Sequence, residues 1–99
     1  MLGISFVLSV DEAMRHHPGR IRGAYAEADR ILARRGFTCV QGRIYLAPSD
    51  DLVNLFEAVT ELRALPWFPL CVRDIRSFRM DHWSDFTSWV QGADTAGDA

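Results

Sequence analysis

The chain has 99 residues, 48% of them hydrophobic and 24% charged, with a net charge of −2 in which all eleven basic residues are arginine. That length holds one small domain with a single core and excludes two. No apolar run approaches the ~20 residues of a membrane span, and the acidic balance means that a nucleic-acid reading must rest on local clusters of arginine.

Residues 1–10 are apolar but lack a basic leading region and a small-residue cleavage site, so they read as part of the fold, and a cytoplasmic location is expected. Leu2, Ile4, Phe6 and Leu8 alternate with Gly3, Ser5, Val7 and Ser9, a period of two that predicts a strand with one buried face. Asp11 can begin a helical turn, but Pro18 and Gly19 interrupt it, and a regular helix is predicted from Arg20. Its buried stripe is Ile21, Ala24, Tyr25, Ala28, Ile31 and Leu32, and Gly36 stands where it stops.

Residues 37–40 and 43–47 are two short β-prone runs joined at Gln41 and Gly42, which predicts a hairpin. Ser49, Asp50 and Asp51 can cap a second helix whose predicted buried stripe is Leu52, Leu55, Phe56, Val59 and Leu62, ending before Pro66. Trp67 and Phe68 are too apolar for a free loop and should plug the end of the core. A fourth strand is expected over residues 72–80, with Phe78 and Met80 as its buried pair and a bulge where the Val72 to Ile75 spacing breaks alternation. Ser84 is read as the cap of a last short helix carrying Phe86, Trp89 and Val90; residues 91–99 are small and polar and read as a disordered tail.

The predicted order β, α, β, β, α, β with a C-terminal extension is the ferredoxin-like arrangement: one α+β domain over residues 1–90, a four-stranded antiparallel sheet, both helices on one face. The uncovered face is then expected to carry Ser5 and Val7 from the first strand, Arg43 and Tyr45 from the third, and Ser77 and Arg79 from the fourth. Arginine and tyrosine on an open sheet fit RNA, and fit a second copy of the protein equally well. Cys39 and Cys71 lie far apart with no close Cys or His spacing, which argues against zinc and for reduced, buried thiols.

These residues together resemble the virulence-associated protein D (VapD) family, small bacterial endoribonucleases akin to the small CRISPR-associated nucleases of ferredoxin-like fold. The resemblance runs to about Val90 and is carried by the alternating first strand, Gly36-Phe37, Gln41-Gly42 with Tyr45, Pro66-Trp67-Phe68, the run from Val72 to Arg76, and the run from Ser84 to Thr87. It implies a homodimeric ribonuclease, in some members the toxin of a toxin and antitoxin pair, so a cognate antitoxin is a further implied partner. Two positions depart from the family pattern. Val7 stands where the family carries an aspartate, and Arg43 where it usually has serine.

Valine can neither bind a hard cation nor move a proton. The sequence therefore suggests cleavage by what remains: Tyr45, Arg43 and Asp74 as catalytic residues, and Arg73, Arg76 and Arg79 as RNA contacts. No cofactor is expected; a divalent metal is the weaker option, since Asp11, Asp74 and Asp85 lie on different elements without ligand spacing. His16, His17 and His82 are read as exposed and uninvolved. The Trp83, Phe86 and Trp89 cluster is expected to pack on its own domain or on a partner subunit. The alternative reading is a dimer of the same fold that has lost catalysis with the aspartate and binds RNA or a protein partner.

Overall fold

The computed structural model describes residues 1–92. The tail expected over residues 91–99 therefore lies, from residue 93 onward, outside the described residues. The elements are β1 (Leu2–Leu8), α1 (Val10–His16), α2 (Arg20–Arg34), β2 (Thr38–Gln41), β3 (Ile44–Ala47), α3 (Leu52–Ala64), α4 (Phe68–Cys71), β4 (Val72–Arg79) and α5 (Thr87–Val90). The strands form one antiparallel sheet in the order β2-β3-β1-β4. This is the expected α+β ferredoxin-like fold, with α1 and α4 as additional short helices.

Alternation on β1 works as predicted. Leu2, Ile4, Phe6 and Leu8 are buried and join the core, whereas Ser5 is half-buried and Val7 exposed on the opposite face. Ala24, Ala28, Ile31 and Leu32 of α2 close over that core, and Trp67 and Phe68 plug its end as expected, with Phe68 edge-on to Phe6 at 5.6 Å between ring centroids. Ser9 caps α1 by accepting from the Glu12 N–H, and Asp51 caps α3 by accepting from Asn54 N–H. Gly36 (φ 85°) and Gly42 (φ 52°) occupy the left-handed region at the end of α2 and in the β2–β3 turn.

Three expectations are corrected. The buried stripe of α3 is rotated: Ala58 and Leu62 are buried and Leu55 and Val59 half-buried, while Leu52 and Phe56 face solvent. The small Ala58 allows close packing that Phe56 would not. Of the two thiols only Cys71 is buried; Cys39 is exposed because β2 is an edge strand. The last helix starts at Thr87, whose N–H bonds the Asp85 carboxylate at 2.8 Å, while the Ser84 hydroxyl pairs with His82 instead.

Candidate nucleic-acid interface

The exposed sheet face is set by the pairing of β1 with β4. Cross-strand partners share a face, and the register pairs Gly3 with Phe78, Ser5 with Arg76 and Val7 with Asp74. One step further the register shifts, Leu8 pairing with Val72, so that Arg73 is the extra residue of a bulge. The bulge was expected, but its consequence for the faces reverses the assignment made from sequence. Beyond Arg73 the even residues Asp74, Arg76 and Phe78 lie on the exposed face, and Ile75, Ser77 and Arg79 lie on the side of Phe6, Ile4 and Leu2. Phe78 is thus not a core residue; its ring lies across Gly3, where a Cβ would come within 2.3 Å of it. Arg79 leaves the open face for the outer edge beside Leu52 and Leu55 of α3.

The charged centre of this face is a forked pair. Arg76 Nε lies 3.1 Å from both carboxylate oxygens of Asp74, and both side chains are substantially exposed. Ser5 stands across from Arg76, Val7 across from Asp74, and the exposed Arg73 adjoins them in the bulge. Of the residues singled out in the sequence, the fold brings these three charged ones, Arg73, Asp74 and Arg76, to one place.

Tyr45 and Arg43 are elsewhere. The β1–β3 register pairs Ile4 with Tyr45, which turns the tyrosine into the core and leaves Ile44 and Leu46 on the other face. Tyr45 is 2% exposed, its ring stacked on Phe6 at 5.4 Å, and its hydroxyl donates to Asp29 Oδ1. Burial, and then this bond to a carboxylate, push the phenol above its ordinary range. Arg43 lies on the same, helix-covered side, with its guanidinium carbon 3.6 Å from the centroid of the Tyr25 ring. Tyr25 in turn accepts a hydrogen bond from Leu8 N–H at 2.8 Å and stacks on Phe6. Tyr25 and Asp29 were not anticipated as partners of the β3 residues, although their i, i+4 spacing on α2 puts them on one helix face.

His17 also departs from expectation. Its side chain is only 9% exposed, and Nδ1 accepts from Gly19 N–H, so Nε2 carries the proton donated to Glu27 at 2.8 Å. Trp67 Nε1–H reaches the same glutamate oxygen at 3.2 Å. The bond from His17 chiefly, opposed by burial and helped by Trp67, holds the Glu27 carboxyl below its usual range. The cluster ties Trp67, at the start of α4, and His17 to the middle of α2 and leaves no free nitrogen on His17 for chemistry. His16 and His82 are exposed, as expected. Among the described residues no three His, Cys, Asp or Glu side chains gather in a way that could hold a metal ion. Among them, too, no helix is long and apolar enough to cross a membrane. On the C-terminal segment, Phe86 (65%) and Trp89 (61%) stay exposed and Trp83 half-buried, around a cleft of about 570 Å³ shared with Val40 and Gln41 of β2.

No family model matches the chain. Curated relatives do. The chain is 50% identical over 91 residues to "Endoribonuclease VapD homolog" of Neisseria gonorrhoeae, covering 92% of this chain and 99% of the relative. It is 38% identical over 91 residues to "Endoribonuclease VapD" of Haemophilus influenzae, with the same coverage, and 39% identical over 93 residues to that of Dichelobacter nodosus, covering 94% and 100%. Matches of this extent, on a fold with the element order that the resemblance implied, place the chain in the VapD family.

Proposed function

We propose that this protein is an endoribonuclease whose reacting groups lie on the exposed β1–β4 face. The observation that carries the reading is the Asp74–Arg76 pair set opposite Val7 and Ser5, a carboxylate and guanidinium in contact on that face. RNA supplies its own nucleophile in the 2′-hydroxyl, so the protein must orient it, take its proton and stabilise the charged phosphorane. Asp74 is the base in this proposal. Arg76, once a phosphate draws it from the carboxylate, and Arg73 neutralise the developing charge, and solvent water protonates the departing 5′-oxygen. Attack by the 2′-oxygen leaves a 2′,3′-cyclic phosphate. Tyr45 drops out of the reacting set because its hydroxyl is already engaged by Asp29 behind the sheet. No step is assigned to a metal.

A homodimer belongs to the same proposal, supported by the exposure of Phe86, Trp89 and Val90 on a segment that leaves the body of the domain. A role as the toxin of a toxin and antitoxin pair rests on the family resemblance alone, and a cytoplasmic location is part of the same proposal. A second reading has its own observation: Val7, 44% exposed, puts methyl groups on the reacting face where the family pattern has a carboxylate. On that reading the protein is a non-catalytic dimer that binds RNA or a protein. Labelled structured RNA incubated with the pure protein, in magnesium and in chelator, separates the two. Cleavage in chelator that is lost in Asp74→Asn supports the first; binding without cleavage in either buffer supports the second.

A further inference from the structure

The cations that the fold sends away from the exposed face are not idle surface. Arg43 leaves the β2–β3 turn and lays its guanidinium on Tyr25, and Arg22, from the first turn of α2, lines the same groove together with Ile21, Ala26 and Asp29. Most acidic side chains near an arginine here are already committed: Glu12 to Arg15, Glu57 and Glu61 to Arg34 and Arg35, Asp74 to Arg76. Among the described residues neither Arg22 nor Arg43 has a carboxylate within ion-pair distance, and no protein acceptor takes an N–H of the Arg43 guanidinium. Asp29, the acidic group of the groove, accepts the Tyr45 hydroxyl on one oxygen, so the groove holds two cations against one engaged carboxylate.

The stacked guanidinium is held in orientation before any ligand arrives, with its donor edge unspent. A planar cation fixed in this way matches a phosphate, which takes two parallel N–H bonds from one guanidinium. The groove, about 240 Å³, is too small for a drug-sized ligand and open enough for a backbone phosphate.

Its position selects the phosphate. Ile44 pairs with Ser5, so Arg43, one residue earlier, stands level with Phe6, and the Tyr25 hydroxyl beneath it bonds Leu8 N–H. The groove therefore opens at the same end of the sheet as Val7 and Asp74. From β3 to β4 is two interstrand spacings, roughly 10 Å, and the two groups project from opposite faces, so the groove suits a phosphate a few nucleotides from the scissile bond on an RNA strand that turns over the sheet end. Resting on the endoribonuclease reading above, we infer that Arg22 and Arg43, held by Tyr25, form a second phosphate subsite that grips RNA flanking the scissile bond.

The test is RNA binding by fluorescence anisotropy across a salt series, with a dinucleotide and a longer single-stranded oligonucleotide as probes. Each phosphate contact to single-stranded nucleic acid contributes about 0.7 to the slope of log K against log salt. Arg22→Gln and Arg43→Gln are each expected to lower that slope by about 0.7 on the longer RNA, with several-fold weaker binding, and to leave the dinucleotide isotherm unmoved. Arg43→Lys keeps the charge but not the stacked fork and should fall between. If the double variant binds the longer RNA with wild-type affinity and slope while Arg76→Ala weakens it, the subsite is refuted and the reading of the exposed face stands. If wild-type protein binds neither probe, the endoribonuclease reading falls and the subsite with it. Arg22 is exposed and, among the described residues, in no ion pair, so Arg22→Gln remains decisive even if Arg43 variants unfold.

Discussion

Replacing Tyr45 by phenylalanine tests whether this side chain is architecture or chemistry. The substitution removes one oxygen and keeps the ring, so the stack on Phe6 at 5.4 Å survives and only the bond to Asp29 is lost. A hydrogen bond to a charged acceptor is worth about 1.5–3 kcal/mol. Asp29 is exposed and water can take over its carboxylate, and no buried donor is left stranded, so the cost falls below that range, at about 1–1.5 kcal/mol, the upper part of the span for an ordinary hydrogen bond. For a domain of this size each kcal/mol moves the midpoint by roughly 4–8 °C, which gives a drop of about 4–12 °C. Thermal unfolding followed by circular dichroism reads that shift, and cleavage of labelled RNA under folded conditions should continue at the wild-type rate. An unchanged melting point together with abolished cleavage would refute the reasoning, because it would make the hydroxyl a reacting group despite its burial.

Glu27 is held below the ordinary glutamate value of 4.5 by His17 and Trp67, so its contribution to stability is present above that value and is lost as pH falls through the lower, folded value. Glu27→Gln should therefore flatten the acid side of a melting-temperature profile, and a variant as acid-sensitive as wild type would sink the assignment. Arg35 joins α2 to α3 through Glu57 at 2.7 Å and Glu61 at 3.0 Å, and Arg35→Ala should lower the urea midpoint, by less in high salt than in low. Val7→Asp puts a carboxylate beside Asp74 on the reacting face; because two such neighbours repel, any gain in cleavage should depend on divalent metal or on pH. Light scattering at tens of micromolar should give the mass of a dimer, and Trp89→Asp should shift it toward monomer.

Much of the fold was legible because single residues carry their reasons locally: alternation from Leu2 to Leu8, the stripe from Ala24 to Leu32, Gly42 in a turn, Pro66 after a helix. What sequence reading could not supply was the absolute face of strands whose two sides are both mixed. On β3, Ile44 and Leu46 are as apolar as Tyr45 and Ala47, and only the pairing of Tyr45 with Ile4 decides which pair meets the core. On β4 the break after Val72 was visible, but a period of two cannot say how parity continues past an inserted residue, so Phe78 and Arg79 were exchanged. The candidate site suffered the same inversion: Asp74 and Arg76 were found as charges, while Tyr25 and Asp29 became relevant only once α2 was seen against β3.

The two edges of the sheet resist strand addition unequally. Along β4, Arg73, Asp74, Arg76 and Arg79 discourage another chain from docking, and the bulge twists the edge away. Along β2, Thr38, Cys39, Val40 and Gln41 are all exposed and none is charged. Self-association through backbone ladders should therefore begin at β2, where the Cys39 thiol would record it as an intermolecular disulfide under oxidising storage. Lysine at Thr38 or Val40 is the substitution that would keep concentrated solutions clear, and it touches neither the core nor the Asp74–Arg76 pair.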